Sequence, residues 1–96
     1  MVIHVALFRW RPECTEAEVK EIMGAIARLE GEIPEVVDLF AGEDFGKYGE
    51  GYTHAVVATF RDRSALAAYR DHPAHVPVAR RVEAMFERSI GVDFEG

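Results

Sequence analysis

Hydrophobic and polar side chains follow a two-residue period along the start of the chain, residues 2–10. In a β-strand, neighbouring side chains point to opposite faces, so this period predicts a strand. One face would carry Ile3, Val5 and Leu7. The other would carry His4, Ala6, Phe8 and Trp10. Both faces are therefore largely apolar.

The hydrophobic period changes to that of an α-helix after residue 14. Thr15 and Glu18 form the signature of a capping box, in which each side chain binds the backbone N–H of the other residue. Apolar residues then recur at helical spacing and predict a single buried stripe, formed by Val19, Ile22, Met23, Ile26 and Leu29. Gly31 is expected to end this helix, and Pro34 prevents its continuation.

Two further strands are predicted at residues 36–41 and 53–60, where apolar positions again alternate. Residues 42–52 connect them and contain four glycines. This connection lacks a phosphate-binding glycine pattern, and its acidic residues would repel phosphate. We interpret it as a loop.

The second helical region is predicted to break at His72-Pro73. Asp62 or Ser64 should cap a short helix that runs to Tyr69. The α region is disfavoured for a residue before proline, and proline suits the first turn of a following helix. The inward stripe of that second helix comprises His75, Val78, Ala79, Val82, Met85 and Phe86. A closing strand is indicated by the alternation of Ile90, Val92 and Phe94.

The resulting order, βαββαβ, predicts an α+β fold of the ferredoxin-like type, with a four-stranded antiparallel sheet and helices on one face. At 96 residues, the chain is expected to form a single domain, residues 1–96. The uncovered sheet face would carry a contiguous apolar patch, made of Ile3, Val5, Leu7, Ala55 and Val57. Such a patch is unusual on a monomer, so we predict a homodimer packed sheet to sheet.

The larger apolar side chains of the strands are expected to meet the helices. Phe8, Trp10 and Phe60 belong to this set, and the same strand faces carry His4 and His54. Strands one and three are neighbours in the usual order of this fold. His4 and His54 should therefore lie close together beneath the helices.

The charge and the cysteine content limit which binding partners and which cellular compartment are expected. The net charge is −6 and the eleven Lys and Arg residues are scattered, so a nucleic-acid partner is not expected. No segment has the length or charge order of a membrane span or a signal peptide. Cys14 is the only cysteine, which favours the reducing cytoplasm.

Four segments carry a resemblance to a known family: His4 followed by LFRW, GYTHAVVATF, AYRDHPAH and the terminal VDF. Together they resemble the stress-responsive dimeric α/β-barrel (Dabb) family over nearly the whole chain. The resemblance implies a ferredoxin-like subunit whose dimer closes a barrel from two sheets. Plant polyketide cyclases of this family are similar at four polar positions. By that resemblance His4 and His54 line a cavity, and Tyr69 and His75 supply the catalytic phenol and imidazole.

The chemistry of these four residues suits enolisation next to a carbonyl group. A neutral imidazole can accept a proton near neutral pH, and a phenol can stabilise a developing oxyanion. We expect His75 to act as general base, Tyr69 to bind the enolate oxygen, and His4 and His54 to orient a small carbonyl-containing or aromatic molecule. Phe8 and Trp10 are candidates for the apolar wall of the same pocket. A cyclisation or isomerisation of this kind needs neither a metal nor an organic cofactor.

Other interpretations stay open at this point. The histidines could be core residues that satisfy one another in a noncatalytic stress-associated ligand-binding or structural dimer. Phe8 and Trp10 could be plain core aromatics, or the wall of a cofactor-free monooxygenase or haem site. Asp71, His72 and His75 could hold a metal, but the proline break separates the two imidazoles, and we expect His72 to serve the helix junction instead.

Overall fold

The computed structural model describes the whole chain, residues 1–96. Its elements are β1 (Val2–Trp10), α1 (Glu16–Glu32), β2 (Val36–Glu43), β3 (His54–Phe60), α2 (Arg63–Asp71), α3 (His75–Met85) and β4 (Phe86–Glu95). The strands form one antiparallel sheet in the order β2-β3-β1-β4. The predicted ferredoxin-like fold is confirmed, including the adjacency of strands one and three and the division of the second helical region into two helices.

Helix α1 begins as predicted but ends later. Thr15 Oγ1 accepts a hydrogen bond from the Glu18 N–H at 3.1 Å, and Glu18 Oε1 accepts one from the Thr15 N–H at 2.9 Å. The prediction that Gly31 ends the helix is wrong, because the helix continues to Glu32 and Ile33 is its C-cap. Ile33 is completely buried, and burying such a side chain gains about 1.5–3 kcal/mol, more than the roughly 1 kcal/mol that a helical glycine costs.

The second helical region is interrupted at His72, whose ψ of 137° lies outside the helical range, as expected for a residue before proline. Helix α3 then starts at His75 with Ala74 as its N-cap, so Pro73, which was expected in the first turn of this helix, lies just before it. Phe86 was expected on the stripe of this helix, but it is the first residue of β4. It pairs there with Trp10, and its ring lies 6.5 Å from that of Phe8, so core packing draws it into the sheet.

One face of the sheet packs against the helices and forms the core. Its strand side chains include Val2, Ala6, Phe8, Val56, Ala58 and Phe60, which meet Ile22, Ile26 and Leu29 of α1 and Leu66, Tyr69 and Val82 of the other helices. All sixteen buried residues are hydrophobic or, in the case of Tyr69, aromatic. The face assignment made from the sequence is therefore confirmed.

The opposite face, which we call the outer face, is not covered within the protomer. Cross-strand pairing places Phe40, Val57, Val5 and Val92 in one row and Ala55, Leu7 and Ile90 in the next. Phe40 and Val92 expose 65% and 50% of their surface. The outer face is thus broader than the predicted patch, since β2 and β4 add large side chains to it. No helix is long and apolar enough to cross a membrane.

Candidate functional site

The register of β1 against β3 separates the two strand histidines. His4 lies opposite Ala58, whereas His54 lies opposite Phe8. Four residues along a strand span roughly 13 Å, so the prediction that His4 and His54 lie close together is wrong. The residues predicted to share one pocket therefore lie in two separate regions. We call them the helix-junction cluster (His4, Tyr69, Arg70, His75 and Asp93) and the α1 groove, which contains His54.

The break between α2 and α3 places Tyr69 and His75 side by side. Tyr69 lies in the last turn of α2, and His75 opens α3. Their ring centroids are 4.3 Å apart, and Tyr69 also packs 5.0 Å from Phe60. Tyr69 is 4% exposed, and burial raises the pKa of its phenol to about 12. The phenol therefore stays protonated and can donate a hydrogen bond throughout the physiological range.

A backbone carbonyl fixes the tautomer of His75. Its Nδ1 lies 3.0 Å from the carbonyl oxygen of Arg70, and because a carbonyl only accepts, Nδ1 must carry the hydrogen. The neutral ring therefore has its lone pair on Nε2. Burial lowers the pKa of His75; the Arg70 carbonyl opposes this shift, and the nearby positive charges of His4 and Arg70 reinforce it. The ring is thus an unprotonated base at neutral pH.

His4 joins the cluster through Asp93, a residue that the sequence analysis missed. His4 Nδ1 donates to Asp93 Oδ1 at 2.5 Å, and Arg70 donates to the other carboxylate oxygen. Partial burial raises the pKa of Asp93, but the hydrogen bonds and charges of His4 and Arg70 outweigh this and lower it. The alternation in β4 contained a signal for Asp93: with Val92 and Phe94 on the outer face, Asp93 must point toward the helices.

The α1 groove holds the other predicted site residues. It has a volume of about 580 Å³ and is lined by Trp10, Cys14, Glu16, Val19, Lys20, Met23, Gly42, Glu43, Thr53 and His54. Trp10 Nε1 donates to His54 Nδ1 at 2.9 Å. Since an indole N–H only donates, Nδ1 is bare and Nε2 carries the hydrogen. Burial lowers the pKa of His54, while the charge of Glu43 raises it.

Phe8 does not reach this groove. Its side chain is buried in the core, with its ring 5.1 Å from the ring of Trp10. The prediction that Phe8 lines a pocket is therefore wrong in the protomer, since the helices cover this part of the strand. Trp10, which is partly exposed, is the aromatic residue that the groove presents.

His72 serves the helix junction, as expected. Its Nδ1 accepts the N–H of Ala74 at 3.0 Å and supports the turn between α2 and α3. No group of three or more His, Cys, Asp and Glu side chains is arranged to hold a metal ion.

The helix-junction cluster has little free space around it in a single protomer. Four grooves on the protomer, of about 580, 590, 340 and 330 Å³, are lined by neither His4, Tyr69 nor His75. One of about 340 Å³ reaches only the outer members, Arg70 and Asp93. The Tyr69 hydroxyl is nevertheless not a fully buried polar atom without a hydrogen-bond partner. Thr59 Oγ1 is the single side-chain atom of that kind.

A family model described as the Stress responsive A/B Barrel Domain, Dabb, matches residues 2–96. The chain belongs to the Dabb family. This Dabb protein is 30% identical over 95 residues to the olivetolic acid cyclase of Cannabis sativa, an alignment that covers 97% of this chain and 94% of the cyclase.

Solved structures also resemble this Dabb protein. A dimeric ferredoxin-like protein of unknown function from Thermobifida fusca superposes with a TM-score of 0.89 at 32% identity, covering 99% of this chain and 90% of the other. A hydroxynitrile lyase from Passiflora edulis superposes with a TM-score of 0.90 over 97% of this chain and 90% of the lyase. At 20% identity, the lyase shows a shared fold alone.

Proposed function

We propose that this Dabb protein is a cytoplasmic homodimer whose helix-junction cluster performs acid–base chemistry on a small carbonyl-containing molecule. The reaction would be of the cyclase or isomerase type and would use neither a metal nor an organic cofactor. One observation carries the proposal: His75, with its free lone pair on Nε2, lies against the ring of Tyr69, a phenol that stays protonated.

The reaction begins with proton removal next to a carbonyl. His75 Nε2 takes the proton from carbon, and the electron pair of the C–H bond moves into the enolate. The Tyr69 hydroxyl donates a hydrogen bond to the enolate oxygen. In a cyclisation, the enolate carbon attacks a second carbonyl of the same molecule, and His75 returns its proton to the new alkoxide. In an isomerisation, the proton returns to a different carbon.

His4 has a supporting role in this proposal. A carboxylate only accepts, so Asp93 holds the hydrogen of His4 on Nδ1 and leaves the lone pair of the neutral ring on Nε2. Arg70 links the two histidines of the cluster. Its guanidinium donates to Asp93, the partner of His4, and its carbonyl accepts from His75 Nδ1. Similarity to a cyclase over nearly the full length of both chains supports this chemistry without naming the substrate.

Homodimer formation is supported by the outer face and by a relative. The outer face presents Phe40, Ile90, Val92 and Phe94 to solvent as large apolar side chains. The similar Thermobifida fusca protein is described as dimeric. Packing of two such sheets would remove this apolar surface from water.

Hydrogen–deuterium exchange at carbon tests the catalytic proposal without knowledge of the substrate. Ethyl acetoacetate and acetophenone in D₂O serve as probes, and NMR follows the loss of the C–H signal next to the carbonyl. We expect exchange faster than in buffer alone, with His75→Ala reducing the protein-dependent rate about 10²- to 10⁴-fold. Tyr69→Phe should reduce it about 10²- to 10³-fold, as loss of one oxyanion donor does.

His72→Asn is the matched control for the imidazole. It removes a histidine three residues away, while the amide oxygen can still accept the Ala74 N–H. Exchange by this variant should equal that of the unmodified protein. Equal exchange by the unmodified protein and His75→Ala would refute the role of His75.

A noncatalytic ligand-binding dimer is the second candidate function. It is favoured by the position of the α1 groove, which offers space beside Trp10 and His54, whereas Tyr69 and His75 line none of the four grooves. In this alternative a ligand would bind between Trp10 and the Nε2–H of His54. Native mass spectrometry of protein from its own host would show a retained ligand, which His54→Ala should release and His75→Ala should retain.

A further inference from the structure

The connection between β2 and β3, residues 44–53, is an ordered loop. Asp44 N–H donates to the Thr53 carbonyl at 2.8 Å, and the Tyr52 N–H donates to the Gly49 carbonyl at 2.9 Å. Asp44 Oδ1 also accepts the N–H of Gly46 at 3.0 Å. We call residues 44–53 the β2–β3 loop; its ends and its interior are both fixed by hydrogen bonds.

Two glycines make this conformation possible. A Cβ on Gly49 would lie 2.8 Å from both Asp44 Oδ2 and the Tyr52 carbonyl, which is too close for any side chain. Gly51 has a φ of +89°, and Arg9 Nε would lie 3.3 Å from a Cβ there. Arg9 belongs to β1 and pairs with Glu87 at 3.0 Å. The Thr53 N–H donates to the Phe8 carbonyl of the same strand at 3.0 Å, which anchors the loop to the sheet.

This anchored loop presents two aromatic side chains to water. Phe45 is 101% exposed and Tyr48 is 91% exposed. Ordering a loop costs conformational entropy, which is normally offset by burial of its apolar side chains. Here the loop is ordered, but two of its three aromatic rings are uncovered, as is typical of a surface that contacts a partner.

The loop borders the outer face. Together they enclose a groove of about 590 Å³, whose floor and walls include Leu7, Phe40, Tyr48, Tyr52, Ala55, Val57 and Ile90. The floor consists of the same apolar residues that form the proposed dimer face. Tyr48 and the uncovered sheet are thus continuous parts of one surface, and Phe45 lies three residues before Tyr48 in the same loop.

We propose that in the dimer each β2–β3 loop packs onto the outer face of the partner, so that Phe45 and Tyr48 of one copy complete the groove of the other. This inference rests on the proposed homodimer. A two-fold axis makes every contact occur twice. When two outer faces pack together, the loop that borders the outer face of one copy meets the outer face of the other copy, and the reverse contact forms as well. Two buried aromatic side chains contribute about 300–500 Å², a large share of the ~800 Å² that each partner of a stable interface buries.

A second copy fits this surface better than a lipid membrane does. Glu43, Asp44 and Glu50 line the same groove as Tyr48, Asp44 directly precedes Phe45, and the chain carries a net charge of −6. An anionic membrane surface repels such a cluster. The groove of another copy contains the same three acidic residues, but it also offers the apolar side chains of Leu7, Val57 and Ile90, which the two rings can cover.

The dissociation constant of the dimer, measured by sedimentation velocity, tests this inference. Phe45→Ser and Tyr48→Ser should each raise it at least tenfold. Lys47→Ser, between them in the same exposed loop, is the matched control and should change it less than twofold. Val92→Asp, on the exposed outer face away from the loop, should give a monomer.

The outcomes distinguish failure of the loop inference from failure of the proposed homodimer. If Val92→Asp is monomeric while both loop variants dimerise normally, the loop inference is wrong and the sheet-to-sheet dimer stands. If Val92→Asp also dimerises normally, the sheet-to-sheet dimer fails together with the loop. Cosedimentation with phosphatidylcholine vesicles that depends on Phe45, with unchanged dimerisation, would assign the rings to a membrane and overturn the inference.

A photo-crosslink provides an independent readout. The crosslinking residue p-benzoylphenylalanine at position 45 should give a covalent dimer on a denaturing gel after irradiation. The same residue at position 17, exposed on α1 at the opposite face, should not. Adducts that map to residues 88–95 or 53–60 of a second copy would support the inference, and adducts that form only within one chain would contradict it.

Discussion

The imidazole of His75 has one nitrogen engaged and one available. The Arg70 carbonyl holds the hydrogen on Nδ1, and burial disfavours the charged form of the ring. A general base must be unprotonated to act, so a lowered pKa keeps His75 active at more acidic pH than a solvated histidine. The neighbouring Tyr69 has the opposite requirement, since it must keep its proton.

These two residues predict the pH profile of carbon exchange. On the acid side, activity should fall with an inflection below 6.5, the ordinary value for histidine, because the pKa of His75 is lowered. On the alkaline side, Tyr69 should cause no loss until the pH approaches its pKa of about 12. The measurement is the exchange rate from pH 4.5 to 10, corrected for buffer. An acid inflection above 7 would contradict the assignment of His75 as base.

At the level of elements, the turn at His72-Pro73 does more than end a helix. It lets Tyr69 from the last turn of α2 and His75 from the first turn of α3 face the same point. A continuous helix would place residues six positions apart on different faces, because one turn takes 3.6 residues. The proline break is thus the local feature that creates the Tyr69–His75 pair.

Helix α1 depends on its capping box for a defined start. Thr15→Ala removes the acceptor of the Glu18 N–H and should lower the free energy of unfolding by about 1 kcal/mol. Thr15→Ser retains the oxygen and is the matched control, with an expected change near zero. Urea unfolding followed by circular dichroism measures both. Equal midpoints for Thr15→Ala and the unmodified protein would show that the box contributes nothing.

The whole molecule leaves its sheet half covered, with helices on one side and solvent on the other. If two copies cover each other, folding and association are linked, and the unfolding temperature must depend on protein concentration. We expect the midpoint of thermal unfolding to rise over a hundredfold increase in concentration. Val92→Asp should abolish this dependence without unfolding the protomer, because Val92 is half exposed in the protomer. A midpoint independent of concentration would contradict the dimer.

Prediction from sequence succeeded where the signal is local. The capping box, the proline break and the alternation of β1 and β3 each depend on residues that lie close together in the chain, and each is confirmed. It failed where competing packing decides: Ile33 extends α1 past Gly31, and Phe86 joins β4 instead of α3. In both cases the packing of a hydrophobic side chain, fully buried at Ile33 and partly buried at Phe86, outweighs a local preference.

The sequence by itself determined the order of elements and the two faces of the sheet, since these follow from periodicity, capping and proline sterics, whereas the Tyr69–His75 pair was indicated by the resemblance to the Dabb family. Only the tertiary structure decided the register between β1 and β3, which moves His54 away from His4, and the pairing of β1 with β4, which brings Asp93 to His4. A register joins residues far apart in the chain. It is set by how the whole core packs, so no local pattern contains it.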